Sequence, residues 1–147
     1  MFASIVVGTD GSDTAREAVR QAIELARRHG ARLEIVSAYE AVPAARRRAE
    51  AQHAPEDPQW LVTRREEVGA TLRDAAAQAE AAGVAAAVHA SQGDPADAIL
   101  DVAEEQGAEL IVVGNKGLTG AKRFLLGSVP NRVSHHAPCS VLIIRTS

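Results

Sequence analysis

The sequence has one cysteine, Cys139, in 147 residues. A single thiol closes no internal disulfide and supplies no Cys-rich zinc site, which excludes a disulfide-stapled scaffold and a zinc module. Aromatic residues are also scarce: two Phe, one Tyr and one Trp, 3% of the chain. The core must therefore come from Val, Ile, Leu and Ala. The 30 Ala residues favour thin layers with helices lying close on a sheet. No apolar run approaches the roughly 18 residues of a membrane helix, so a membrane is not an expected partner. Met1-Phe2-Ala3-Ser4-Ile5 sets no basic segment ahead of an apolar one, and the expected location is the cytoplasm. The formal net charge is −3 and the pI near 5.9. Nucleic-acid binding usually needs a strongly basic face, so nucleic acid is not an expected partner either. What is present is ordinary for one globular domain, expected to span residues 1–147: 46% hydrophobic and 24% charged residues.

Along the chain, short β-branched runs alternate with helical patterns. Phe2 to Thr9, centred on Ile5-Val6-Val7, is a buried strand ending in the turn Gly8-Thr9-Asp10-Gly11. A helix opens at Ser12 or Asp13, carries Ala15, Ala18, Val19, Ala22, Ile23 and Ala26 at helical spacing, and closes on Arg27, Arg28 and Gly30. Leu33 to Tyr39 is a second strand. Residues 40–60, with Pro43, Pro55, Pro58 and Arg46-Arg47-Arg48, are expected to form a flexible, solvated loop. An Ala- and Glu-rich helix is predicted from about Leu61 to Ala82, and a strand from Val84 to Ser91. Asp94 caps a helix with Pro95 at its first position, closed by Gly107. Glu109 to Gly114 is the most apolar strand. A Gly-rich loop then runs to Gly127, Ser128 caps a short helix, and Cys139 to Arg145 is the fifth strand. Alternation of this kind predicts right-handed crossovers and an α/β fold, a doubly wound five-stranded parallel sheet with helices on both faces.

In such sheets ligands sit beyond the carboxyl ends of the strands, where the winding direction reverses. Polar and glycine signals concentrate after strands one and four, in Thr9-Asp10-Gly11 and Gly114-Asn115-Lys116-Gly117. That places the switch point between those strands and gives the order 3-2-1-4-5. The spacing Gly114-x2-Gly117-x9-Gly127-Ser128 fits a phosphate cradle. Glycines let backbone N–H groups approach an anion, Lys116 adds a charge, and a helix N-terminus follows. The alternative is that the glycines only make turns. Asp10 likewise has two readings, a ligand contact or a helix cap. His135 and His136 diverge by about 100° on one helix and are expected at the surface. Cys139, next to an apolar strand, is expected to be a buried small residue.

The same residues carry a resemblance. Val6-Val7-Gly8-Thr9-Asp10-Gly11-Ser12, the Gly114-x2-Gly117-x9-Gly127-Ser128 spacing and His136-Ala137-Pro138-Cys139-Ser140-Val141-Leu142-Ile143-Ile144 together resemble the universal stress protein family, in its nucleotide-binding branch. The resemblance implies that Asp10 contacts ribose or the metal–phosphate region, that the backbone near Ala38 meets adenine, and that Gly114, Gly117, Gly127 and Ser128 hold phosphate. Thr9, Asn115, Lys116 and Val129, interleaved with these motifs, complete the expected site. Gly114-Asn115 and Gly127-Ser128-Val129-Pro130 also resemble a branch that binds cyclic AMP. The implied ligand is therefore ATP, with Mg in attendance, or cyclic AMP.

There is no GxSxG, no pair of carboxylates beside the glycine loop, no zinc set and no Walker motif, so no catalytic residue and no metal ligand is expected. The expectation is a protein that senses or sequesters nucleotide, with slow ATP hydrolysis or a nucleotide-independent interaction module as the alternatives. In the order 3-2-1-4-5 the fifth strand is an edge. Its apolar Val141-Leu142-Ile143-Ile144 has no Pro or Lys to block pairing, which predicts a homodimer through that strand.

Overall fold

The central strands form from continuous β-branched runs, Ile5-Val6-Val7 and Ile111-Val112-Val113, as strands covered on both faces must, while the outer strands carry polar residues among their apolar ones. The computed structural model describes residues 1–39, 58–116 and 125–146, without the side chains of residues 58–63 and Lys116. In chain order the elements are β1 (Ser4–Gly8), α1 (Asp13–His29), β2 (Arg32–Tyr39), α2 (Pro58–Ala81), β3 (Ala86–Gln92), α3 (Pro95–Glu105), β4 (Leu110–Lys116), α4 (Ser128–His136) and β5 (Ser140–Thr146). All neighbouring strands are parallel, in the order β3-β2-β1-β4-β5. The architecture and strand order are those the sequence predicts.

Alternate side chains of each strand leave on opposite faces, which divides the core in two. Ile5, Val7, Leu33, Ile35 and Val112 pack against Ala18, Ala22 and Ala26 of α1 and Leu72, Ala75 and Ala79 of α2. Val6, Val36, Ile111 and Val113 pack against Ala96, Ile99, Val102 and Ala103 of α3 and Val133 of α4. Each fully buried Val, Ile or Leu contributes about 1.5–3 kcal/mol. The helix faces are Ala-rich, which lets the helices lie close to the sheet.

Register positions the site. Gly8 of β1 pairs with Val36 and Val7 with Val112. β1 stops at Gly8, while β2 continues to Tyr39 and β4 to Lys116. A notch opens at the carboxyl edge between the two longer strands, where connections leave to opposite faces.

Some boundaries differ from expectation. α2 begins at Pro58, three residues before Leu61, with proline at the first helical position, where its missing N–H costs nothing. The expected loop therefore ends before residue 58, and its remainder, with Arg46-Arg47-Arg48, lies outside the described residues. β3 begins at Ala86, not Val84. The Val84 N–H donates to the Ala79 carbonyl and its side chain is buried, so it closes α2. The cap of α4 is Gly127 rather than Ser128, with no side-chain hydrogen bond at the cap. Cys139 is half-buried rather than buried, and burial pushes its thiol pKa up. His135 and His136 are exposed. On β5, Ile144 is buried, but Leu142 is 37% exposed and Val141 and Ile143 are half-buried.

Candidate functional site

A cavity of about 580 Å³ occupies the notch. Small-molecule sites run at about 300–1,000 Å³. One wall is the turn after β1. There the Thr9 N–H donates to the Val36 carbonyl at 2.9 Å, and Thr9 Oγ1 accepts from the Gly11 N–H at 3.1 Å. Asp10 Oδ1 accepts from the Ser12 N–H at 2.9 Å, and Ser12 Oγ accepts from the Ala15 N–H at 3.2 Å. The cap of α1 is thus Ser12. Asp10 fixes the turn and its exposed carboxylate lines the cavity beside Asp13. Behind them Thr14 Oγ1 lies 3.0 Å from Thr146 Oγ1, joining the first turn of α1 to the end of β5.

The second wall is apolar. Val36 and Ala38 of β2, Val113 of β4 and Pro95 and Ile99 of α3 form it. α3 is held at that spot by its own N-terminus, where Asp94 Oδ1 accepts from the Asp97 N–H at 3.0 Å and Pro95 opens the helix. This slot suits a flat apolar group.

The third wall joins β4 to α4: Gly114, Asn115, Gly127, Ser128, Val129 and Pro130. Asn115 is 4% exposed. Its Oδ1 accepts from the Gly127 N–H at 2.8 Å, and its Nδ2 donates to the Leu125 carbonyl at 3.4 Å. The Gly127 N–H is therefore directed at Asn115. Pro130 has no N–H. By position in the helix, the N–H groups of Ser128 and Val129 have no intrahelical acceptor, and the positive end of the helix dipole lies beside them.

Gly114, which borders the cavity, also sits at a close approach between two elements. A Cβ there would lie 2.9 Å from Thr14 Cγ2 and 3.0 Å from the Thr14 carbonyl oxygen. The missing side chain lets α1 approach β4.

Thr9, Asp10, Ala38, Gly114, Asn115, Gly127, Ser128 and Val129 thus all border one cavity. Lys116 ends β4, but its side chain and Gly117 lie outside the described residues. Sequence reasoning did not single out Asp13, Thr14, Val36, Pro95, Ile99 or Pro130 as site residues. Asp13 and Thr14 follow directly from a ligand at the N-terminus of α1. Pro95 and Ile99 carry no local signal, since they read as an ordinary helix start and core face. Among the described residues no His or Cys lines the cavity and no group of three metal-ligating side chains converges. The arrangement offers an apolar slot, two carboxylates and two backbone donors at a helix end.

Comparison with known proteins agrees. The profile of the Universal stress protein family matches residues 1–145. The chain is 37% identical over 150 residues to Universal stress protein YxiE of Bacillus subtilis, covering 99% of this chain and 100% of that relative. It is 39% identical over 147 residues to Universal stress protein Rv1636 of Mycobacterium tuberculosis, covering 99% and 98%. Among solved structures, a universal stress protein in complex with cAMP superimposes with a TM-score of 0.72 at 35% identity, covering 99% and 98% of the two chains. A universal stress protein from Archaeoglobus fulgidus in complex with dAMP gives 0.66 at 28% identity, covering 97% of each. With the family profile spanning nearly every residue and relatives matched end to end, this chain belongs to the universal stress protein family.

Proposed function

We propose that the chain binds an adenine nucleotide, ATP or cyclic AMP, in the notch between β1 and β4. It acts as a cytoplasmic stress or signalling protein that senses or sequesters the nucleotide without rapid turnover. The observation that carries this is a single cavity with an apolar slot at one end and the open N–H groups of Ser128 and Val129 at the other. A purine ring fits the first chemistry and a phosphate the second. The related proteins with cAMP and dAMP support the same ligand class. Asp10 and Asp13 are hard oxygen donors of the kind Mg²⁺ takes, so they would hold the cation that accompanies ATP and offset its phosphate charge.

Titration calorimetry with ATP, ADP, AMP and cyclic AMP, paired with a product-release assay, tests the proposal. Saturable binding without product is expected. Asp10→Ala should lower affinity with little change in melting temperature, because Ser12 and not Asp10 caps the helix. Absence of binding would leave an interaction module, and steady product release would leave a slow ATPase.

The same reading extends to assembly: a two-fold homodimer through β5. β5 is an edge strand in the sheet, and its Val141, Leu142 and Ile143 are covered only in part. Unpaired apolar edges recruit a further strand, and a second copy provides one by symmetry.

A further inference from the structure

We propose that Asn115 is the positioning residue of the phosphate subsite, acting through Gly127 rather than by touching the ligand. The inference rests on the adenine-nucleotide reading above. Asn115 stands near the tip of β4, 4% exposed, and both ends of its amide are engaged. Oδ1 takes the Gly127 N–H at 2.8 Å, and Nδ2 gives a proton to the Leu125 carbonyl at 3.4 Å. A carboxamide is the side chain of this size that accepts at one end and donates at the other. The two bonds tie the end of β4 to the segment that enters α4.

The consequence is a selection of donors. A helix start ordinarily offers several N–H groups to an anion. Here Asn115 takes that of Gly127, and Pro130 has none. Gly127 is held as an extended N-cap, at φ −62 and ψ 167. Ser128 and Val129, which line the cavity, are left as the donors without an intrahelical acceptor, placed by the fixed residue before them. A donor pair aimed in advance binds a phosphate without the ordering cost of a loose loop. Nothing in this arrangement reaches the apolar slot at Val36, Ala38 and Ile99. The contribution of Asn115 is therefore confined to the phosphate part of a ligand.

That confinement gives the test. Adenosine, AMP and cyclic AMP are titrated calorimetrically into the intact wild-type chain, Asn115→Ala, Gly127→Pro and the double variant. Gly127→Pro removes the N–H and keeps φ near −65°, but its ring also crowds Asn115 Oδ1, 2.8 Å from the Gly127 nitrogen, a clash that the double variant relieves. Asn115→Ala should bind adenosine as wild type does and bind AMP and cyclic AMP about tenfold more weakly, the worth of one hydrogen bond, and Gly127→Pro should lose at least as much phosphate binding. The double variant should be no weaker than either single, because both changes remove the same bond. The ratio of nucleotide to nucleoside affinity is the readout, and a general loss of stability does not move it. Should Gly127→Pro fail to fold, the ratio in Asn115→Ala decides alone. Equal losses for adenosine and AMP, an unchanged ratio, or tighter phosphate binding once the Gly127 N–H is freed would each overturn the role of Asn115. Failure of the wild-type chain to bind any of the three ligands, or ATP titrated in the same way, would overturn the nucleotide reading itself.

Discussion

Replacing Gly114 with Ala tests how closely α1 lies on the sheet. The added Cβ would sit 2.9 Å from Thr14 Cγ2, 3.0 Å from the Thr14 carbonyl oxygen and 3.3 Å from its carbonyl carbon. The methyl can rotate away, but the carbonyl belongs to the first turn of α1 and moves only with the helix. Overpacking of this kind costs about 1–3 kcal/mol. Alanine restricts the unfolded chain and returns about 0.4–1 kcal/mol. The expected net loss is about 1–2 kcal/mol, which for a chain of this length lowers the melting temperature by roughly 3–8 °C. Thermal unfolding followed by circular dichroism measures it, with urea titration to show that the m-value, and hence the extent of unfolding, is unchanged. Thr14→Ser removes the Cγ2 methyl and keeps the hydroxyl that meets Thr146. Combined with Gly114→Ala it should recover part of the loss, because the carbonyl contact remains. A Gly114→Ala protein that melts with wild type would refute the close approach.

Ser4 is 6% exposed, and its Oγ has no hydrogen-bond partner among the described residues. Ser4→Ala removes an unpaid desolvation cost and should stabilise by about 1 kcal/mol, raising the melting temperature by roughly 3 °C; a fall would show that the hydroxyl is satisfied. For the β5 dimer, light scattering at low micromolar protein should give twice the 15.4 kDa chain mass. Ile143→Pro or Leu142→Pro, whichever lies with its N–H toward the partner, should return it to the monomer mass. A wild-type mass equal to one chain would end the proposal.

The strand order was legible because polar and glycine residues gather after β1 and β4 and nowhere else to the same degree. A parallel sheet leaves that pattern wherever its winding reverses. Asp94 was legible as a cap, and Ser12 as one of two candidates with Asp13, because the capping bonds lie within three residues. The start of α4 was not. Ser128 is the better capping residue by type, yet the bond that positions Gly127 comes from Asn115, twelve residues back. The role of Gly114 was hidden for the same reason, since its crowding partner is Thr14 on another element. Val84 is apolar and β-branched and so reads as strand, but its N–H is claimed by Ala79 at the end of α2. The apolar wall of the cavity draws on Ile99, whose spacing marks it only as core. Local bonding is written in neighbouring letters; contacts between elements are not.

The brevity of β1 between two longer strands also orders events in time. β1 meets β2 early, but its pairing with Leu110, Ile111 and Val112 joins residues about a hundred positions apart. As the chain is synthesised, the Ile5-Val6-Val7 edge therefore stays open until β4 emerges. An open apolar edge on an unfinished chain is the usual point of mispairing. The cavity inherits the same schedule, because one wall belongs to the first turn of the fold and another to β4 and α4. A fragment that ends before Leu110 lacks Val113 and the whole wall from Gly114 to Pro130. Closure of the cavity and completion of the sheet around β1 are thus a single late step, because the third wall is absent until the central strand has both its neighbours.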